Sequence, residues 1–313
     1  MLNRIILERL KVIVDKRLRD EEAGFRKERS CTDHIATLRI ILEQSLEWNS
    51  PVYTTFVDFD KAFDSVDRDV LWKLLRHYGI PEKYVTLIQK TYDSYSSRVI
   101  HNGVLSELIE MLTVVRQGCL LSPFLFLLVI DWVMRQTTEK HRDGIRWALM
   151  TRLEDLDFAD DVALLSHNHQ DMQSKLTRMG MISAKASLRI SKSKTKGMRI
   201  NTTNADRLEL DEEEIDEVEE FAYLGSNISK DGGSDRDIQL RIGKARTAFI
   251  MLSPVWKSKT ISKKTKLRTL NTHVKSVLLY GSEIWRVTKS FVNECLQSII
   301  GIHWPQAIRN EDL

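Results

Sequence analysis

The sequence predicts a mixed α+β fold, and three observations carry that prediction. Helical stripes recur: Val70, Leu71, Leu74, Leu75 and Tyr78 share one face, and Ile238, Ile242, Ala245, Phe249 and Leu252 repeat at four- and three-residue spacing. Two short runs have strand composition, Val52–Val57 and Val162–Leu165. The second has no polar alternate position, so both of its faces must be covered. Between Leu153 and Ser166 the adjacent Asp160 and Asp161 separate two such segments, as a two-residue turn would at the tip of a hairpin. At 313 residues the chain can bury a substantial core and is expected to form two or more subdomains.

The elements follow in order. Leu2–Leu18 and Thr32–Trp48 read as helices joined by a basic connector, Gly24-Phe-Arg-Lys-Glu-Arg-Ser30. Val52–Val57 is a strand ending at Asp58. The stripe over Arg68–Tyr78 is a helix closed by Gly79 and Pro81, with Asp64 or Asp67 as its cap. A further helix runs to about Tyr95, and Ser97–Thr113, holding His101-Asn-Gly103, reads as a hairpin. A helix starts near Ser122. Its run Phe124–Ile130 is too short to span a bilayer and ends at Asp131, which makes it a buried helix. Asp211–Glu220 reads as a loop or a solvated strand pair, and the region from Arg236 onward as basic helices.

Chemistry concentrates at Asp160 and Asp161. An isolated Asp-Asp pair is usually a surface turn, but this pair lies inside an apolar hairpin. Paired like charges beside apolar walls either neutralise one member or hold cations, and Mg²⁺ is the hard, carboxylate-seeking candidate. Asp58 is the candidate third ligand. It lies 102 residues before Asp160, so only a fold that sets the two strands side by side could unite them.

Charge is informative through its distribution, because the formal net charge is only +3. Between Arg236 and Lys289 thirteen basic residues meet two acids, Asp237 and Glu283. A second cluster, Lys185, Arg189, Lys192, Lys194, Lys196 and Arg199, contains no acid. One-signed surfaces of this kind track phosphate backbones. Cys31, Cys119 and Cys295 are isolated, which argues against a disulfide framework or structural zinc and for a reducing compartment. Met1–Leu10 carries Arg4, Glu8 and Arg9 and does not read as a signal peptide. An intracellular location, in cytoplasm or nucleus and not secreted, is expected, with no membrane partner. Lys263-Lys-Thr-Lys266 is a weak nuclear-import signal, more simply read as surface charge. Oligomeric state is open.

Five segments together resemble the ordered motif series of reverse transcriptases from non-LTR (LINE-type) retrotransposons. They are Phe56-Val-Asp-Phe-Asp-Lys-Ala-Phe-Asp64, Arg116-Gln-Gly-Cys-Leu-Leu-Ser-Pro123, Phe158-Ala-Asp-Asp161, Leu188-Arg-Ile-Ser-Lys-Ser-Lys-Thr-Lys196 and Phe221-Ala-Tyr-Leu-Gly-Ser226. The resemblance starts after the family's first fingers motifs, so an N-terminally truncated member is expected. Glu28 stands where the family commonly has glycine, and Leu127 where it often has asparagine.

The resemblance implies a polymerase right hand. It would comprise partial fingers and template-side helices over 1–50, a palm with antiparallel sheet packed by helices and an inserted fingers segment over 51–200, a primer-grip region over 201–235, and a basic helical thumb and tail over 236–313. It implies RNA-directed DNA synthesis from a DNA primer on an RNA template, with dNTPs and two Mg²⁺ ions, for which Mn²⁺ could substitute. Asp58, Asp160 and Asp161 would be the metal ligands and catalytic carboxylates. Lys194, with Lys192 and Lys196 as rivals, would protonate the leaving pyrophosphate. Phe59, Phe63, Arg116, Gln117 and Gly118 would contact the nucleotide and nascent base pair, with Phe63 excluding a 2′-hydroxyl. Tyr223, Leu224 and Gly225 would grip the primer. The alternative from another class is an inactive remnant that binds RNA or DNA through its basic faces. A group II intron maturase-like protein would share the aspartates but add an intron-binding extension.

Overall fold

The computed structural model describes residues 2–92, 96–101, 103–107, 109–110, 119–147 and 151–284. The chain divides into two compact units, Met1–His34 with Gln44–Glu219 and Ile35–Glu43 with Glu220–Leu313.

The first unit is built on a five-stranded sheet. Its strands are β1 (Val52–Val57), β2 (Asp155–Phe158), β3 (Asp161–Ser166), β4 (Lys196–Ile200) and β5 (Asp216–Glu217). They lie in the order β5-β4-β1-β3-β2, antiparallel except for the parallel pair β4–β5. Every residue of β1 is buried, as are Val162–Ser166 of β3, so the continuous apolar runs are strands covered on both faces. On one face Tyr53, Val57, Val162 and Leu164 join Met172, Leu176 and Met179 of a helix over His169–Lys185 in a common core.

The helices of this unit are α1 (Leu2–Val14), the two ends of α2 (Cys31–Trp48, of which Ile35–Glu43 belongs to the second unit), α3 (Arg68–His77), α4 (Glu82–Tyr92), α5 (Ser122–Thr138) and α6 (His169–Lys185). Their starts are written locally. Ser30 and Asp33 form a reciprocal capping box on α2, and Asp67 accepts the Asp69 and Val70 amides at the head of α3. Of the two caps expected for α3 it is thus Asp67 that serves. Pro123 occupies the first turn of α5, where no amide is needed. Phe124–Ile130 of α5 are all buried, which is why that helix is apolar on every side, and it packs against α3 and α6. The hairpin expected over Ser97–Thr113 pairs Ile100 with Leu105, His101 with Val104, and Ser96–Ser97 with Ile109–Glu110. Its end at Thr113 lies outside the described residues.

α1 stops at Val14 rather than Leu18, and the cause is Arg19. The chain leaves the helix to bury that side chain among Asp131 of α5 and Asp155 and Asp157 of β2, all three fully buried. The Arg19 amide donates to Asp131 Oδ1 at 2.8 Å, its Nη1 to Asp155 Oδ1 at 2.9 Å, and its Nη2 to Asp157. Asp131 also accepts from the Tyr78 hydroxyl and, at 2.9 Å, from Arg135 Nε. Burial, and then Asp155, hold the Asp157 carboxyl well above the usual range. The cluster thus balances its charge partly by pairing and partly by keeping a proton.

The second unit contains a hairpin, β6 (Glu220–Tyr223) with β7 (Ser226–Ser229), followed by α7 (Asp235–Met251), a short turn of helix over Ser253–Lys257 and α8 (Lys263–Thr269). From α8 the chain continues through a wider helical turn, Leu270–Lys275, to Leu278. Ala245, Trp256, Leu270, Val274 and Leu278 form its core, with Ile242, Phe249 and Leu252 packed on it, which is the helical stripe of the sequence. Asp237 anchors the hairpin: it accepts from Ser226 Oγ at 2.6 Å and the Asn227 amide at 2.8 Å, and pairs with Arg39 at 2.9 Å.

Replacing Arg19 with Met leaves buried carboxylates without their cation, a change that typically costs about 3–5 kcal/mol. Chemical denaturation should show a loss of that size for Arg19→Met and a smaller one for Arg19→Lys. A loss below about 1 kcal/mol, the level of an exposed ion pair, would show the cluster to be incidental.

Candidate active site

β1 is the central strand and sets the register of the site. Val57 faces Val162 on β3, and Phe56 faces Ala163 on one side and Lys196 on the other. Asp58 follows at once, so continuation of the β1–β3 pairing sets it opposite Asp161. On the β4 side the backbone pairing runs on past the strand. The Ser191 amide donates to the Asp58 carbonyl at 2.8 Å, Phe59 bridges Ile190, and the Asp60 amide donates to the Arg189 carbonyl at 2.8 Å. The turn that follows, Ser191–Thr195, is closed by the Thr195 amide on the Ser191 carbonyl at 2.9 Å. It carries Lys194 to Asp58, with Nζ 3.1 Å from Oδ1.

The hairpin differs from its sequence reading by one residue. Phe158 pairs with Asp161, which leaves Ala159 and Asp160 as the turn and makes Asp161 the first residue of β3. The backbone explains the shift. Ala159 adopts the left-handed conformation, φ 58°, and starts the turn before the aspartate pair is reached.

Both aspartates titrate above the usual carboxylate range. Burial is the main cause at each, and Asp58 adds to both; at Asp160 a backbone hydrogen bond and Lys194 pull the other way. Asp161, with Asp160 beside it, is pushed up to about 6. The hydrogen bond to Asp58 raises Lys194 in turn. Asp160 and Asp161 therefore both sense the charge of Asp58 at the end of β1. The side chains do not form a finished ligand cage: among the described residues, no three His, Cys, Asp or Glu groups are gathered closely enough to hold a metal ion. Like charges repel, and Asp58 is paired with Lys194 instead. The donor set still suits a hard divalent cation: it is all oxygen, and a cation would offset both the burial and the neighbouring charge that raise Asp160 and Asp161.

The rival lysines are engaged elsewhere. Lys192 pairs with Glu213 at 2.9 Å and Lys196 with Asp216 at 2.6 Å, so Lys194 is the one of the three seen at Asp58. Phe59 does not present its side chain to a substrate: it is 3% exposed and part of the core, because its backbone bridge to Ile190 turns the ring inward. Phe63 is partly buried and stacks on Phe126, with ring centroids 4.4 Å apart. Arg116, Gln117 and Gly118 lie outside the described residues. In the second unit Tyr223 is buried, while Leu224 and Gly225 form the turn between β6 and β7, with φ 48° and 80°. Arg241 donates to the Gly225 carbonyl, and the Tyr280 hydroxyl to the Leu224 carbonyl at 2.9 Å.

The basic cluster of Lys185–Arg199 is not a one-signed surface. The acidic stretch after it forms β5 and two short rungs. It supplies Glu213 to Lys192, Asp216 to Lys196 and Glu217 to Arg199. Sequence separation hid these pairs. In the second unit Lys244, Lys257, Lys259, Lys263, Lys264, Arg268 and Lys275 are exposed. Arg19 and its acids were also missed. The readable signal was the alternation of Asp155 and Asp157 in a strand whose neighbours are apolar, since acids buried at period two require a cation. Among the described residues no helix is long and apolar enough to cross a membrane.

Comparison with known proteins bears on the family and the fold. A family model described as reverse transcriptase (RNA-dependent DNA polymerase) matches residues 1–228, and one described as a domain of unknown function matches 248–280. The retrovirus-related Pol polyprotein of the type-2 retrotransposable element R2DM from Drosophila melanogaster is 29% identical over 177 residues, covering 56% of this chain and 16% of that protein. A Pol polyprotein of a type-1 R2 element from Nasonia vitripennis is 31% identical over 128 residues, covering 41% of this chain and 12% of that protein. The chain thus spans less than a fifth of either relative. Among solved structures, apo telomerase from Candida tropicalis superposes with a TM-score of 0.55 at 11% identity, covering 95% of this chain and 54% of that one, which shows a shared fold. That fold is the polymerase right hand, and the chain belongs to the reverse transcriptase family, with relatives among non-LTR retrotransposons.

Proposed function

We propose that this chain is an RNA-directed DNA polymerase that extends a DNA primer on an RNA template with dNTPs, using Asp58, Asp160 and Asp161 to hold two Mg²⁺ ions. The observation that carries the reading is the strand register, which brings Asp58 to the position opposite Asp161 from 103 residues away. Bound there, Mg²⁺ or Mn²⁺ would stabilise the attacking 3′-oxygen and the leaving pyrophosphate as a Lewis acid. The protein's own groups supply the rest. Lys194, protonated at neutral pH and held at the mouth of the site by Asp58, can give its Nζ proton to the departing pyrophosphate. The Phe63 ring, braced by Phe126, is rigid enough to act as a wall against the sugar. The turn Leu224–Gly225, fixed by Arg241 and Tyr280, presents backbone for a primer strand, and the exposed lysines of the second unit offer its phosphates a cationic surface. RNA, a DNA primer and dNTPs are therefore the partners we assign. A binding-only remnant, the second reading, draws on those same exposed lysines.

Primer extension on a homopolymer RNA distinguishes the two. The chain should incorporate dNTPs, and Asp160→Ala should reduce incorporation by roughly a thousandfold or more, as removal of a central catalytic group does. Equal incorporation by both proteins would defeat the enzyme reading. Salt-sensitive RNA binding without incorporation would establish the remnant.

Phe63→Val should admit ribonucleotides; an unchanged preference for dNTPs would remove Phe63 from that role. Stability should report the burial of Asp161 beside Asp160 and Asp58 independently of activity. Because the folded pKa of Asp161 is raised, its ionised form disfavours the fold, and stability is lost as pH rises from about 4 through about 6. Asp161→Asn should therefore melt at a higher temperature than the parent at pH 8, with the gain vanishing toward pH 4. A lower melting temperature at pH 8 would contradict the raised carboxyl of Asp161.

A further inference from the structure

The turn that carries the aspartates rests on a segment from far earlier in the chain. Glu21–Ala23 lies along the free edge of β2: the Ala23 amide donates to the Asp157 carbonyl at 2.9 Å, and Glu22 and Asp157 form a parallel bridge. The Glu22 side chain is fully buried. Its Oε1 accepts two backbone amides, that of Gly24 at 2.6 Å and that of Ala159 at 3.4 Å. Ala159 is the left-handed residue immediately before Asp160, so its amide fixes the Phe158–Ala159 peptide plane that opens the turn. Gly24 closes in from the same side. A Cβ at that position would lie 2.6 Å from the Ala159 nitrogen and 2.9 Å from Glu22 Oε1, so only glycine lets the two backbones meet. The His34 ring packs edge-on against Phe158, the residue on the other side of Ala159.

We infer that Glu22 is a positioning residue: through the Ala159 amide it holds the turn in the one geometry that aims Asp160 and Asp161 at a shared cation. This rests on the reading of those carboxylates as metal ligands. Glu22 does the work as an uncharged acceptor. Its neighbours already include the buried Asp131 and Asp157, and a further buried negative charge would lack a cation of its own. Burial accordingly pushes its carboxyl up to about 8, against the opposing pull of the Gly24 and Ala159 amides and of Arg19. Glu22 Oε2 and Asp157 Oδ1 are both buried without a hydrogen-bond partner, and the bridge sets the two residues side by side on one face. A glutamine would keep the acceptor at Oε1 and put an N–H₂ group where the unpartnered Oε2 now lies. An alanine would strand two buried amides.

The test is Mn²⁺ binding by the full chain, followed by electron paramagnetic resonance, with thermal melts alongside. Asp160→Ala should abolish binding and reports on the ligand reading itself. Glu22→Ala should weaken Mn²⁺ affinity by roughly tenfold or more, the effect typical of losing a group that orients ligands, and Glu22→Gln should restore it. Gly24→Ala, which pushes on the same turn with Glu22 intact, should weaken binding too, and it carries the comparison with Glu22→Gln if the alanine variant does not fold. Binding unchanged by Asp160→Ala overturns the ligand reading and this inference with it. Binding lost in Asp160→Ala but unchanged in Glu22→Ala and Gly24→Ala overturns the positioning role alone, as does a Glu22→Gln protein that folds yet binds as weakly as the alanine variant.

Discussion

Everything at the site depends on the register of β1 between β3 and β4. Side chains alternate along a strand, so a slip of one residue would turn Asp58 to the opposite face and away from Asp161. The slip is opposed because β1 is buried on both faces, where a displaced side chain would meet a close-packed space shaped for a different residue. The same strand imposes the position of the lysine turn, since its backbone pairing continues beyond Val57 to Ser191. One constraint on hydrogen bonding and burial therefore gathers acids and a base from three distant stretches. None of them needs an individual attraction for the others, and the acids indeed repel.

Behind the acids that face outward lies a second set that faces inward. β2 directs Asp155 and Asp157 into the protein, where a single guanidinium meets both together with Asp131 of α5. Arginine suits this place because its planar fork donates in several directions and is weakly hydrated. The arrangement is costly in desolvation and tolerates no missing partner. What it provides is connection: it ties the end of α1, the centre of α5 and the edge strand of the hairpin to one point. The hairpin that presents Asp160 and Asp161 is thereby held from within by Arg19 and from its edge by Glu21–Gly24.

The charge pattern is reorganised by folding. In the first unit the acidic stretch Asp211–Glu219 folds beside the lysine-rich strand and neutralises Lys192, Lys196 and Arg199, leaving Lys194 for Asp58. In the second unit Arg241 and Lys266 are buried and spent on backbone carbonyls, so the exposed lysines make up the usable cationic surface. A count along the chain does not separate the two kinds of basic residue, because the distinction is one of burial and of partners remote in sequence.

The sequence by itself determined the local elements and the identity of the chemical groups. Periodicity placed α3 and α7, an unbroken apolar run placed α5, composition placed β1 and β3, and Ser30 and Asp67 cap α2 and α3 from the residue next to each helix. The order of the motifs named the family. These properties need only neighbours within a turn or a strand. Tertiary structure alone decided that Asp161 belongs to β3 and Asp160 to the turn, that the Phe59 ring is core, which lysine meets Asp58, and that α1 ends early so that Arg19 can be buried. It alone brought Glu22 beneath Ala159, across 137 residues. Each of these rests on an interaction between groups far apart along the chain, and such partners become visible only when the backbone has closed its sheet.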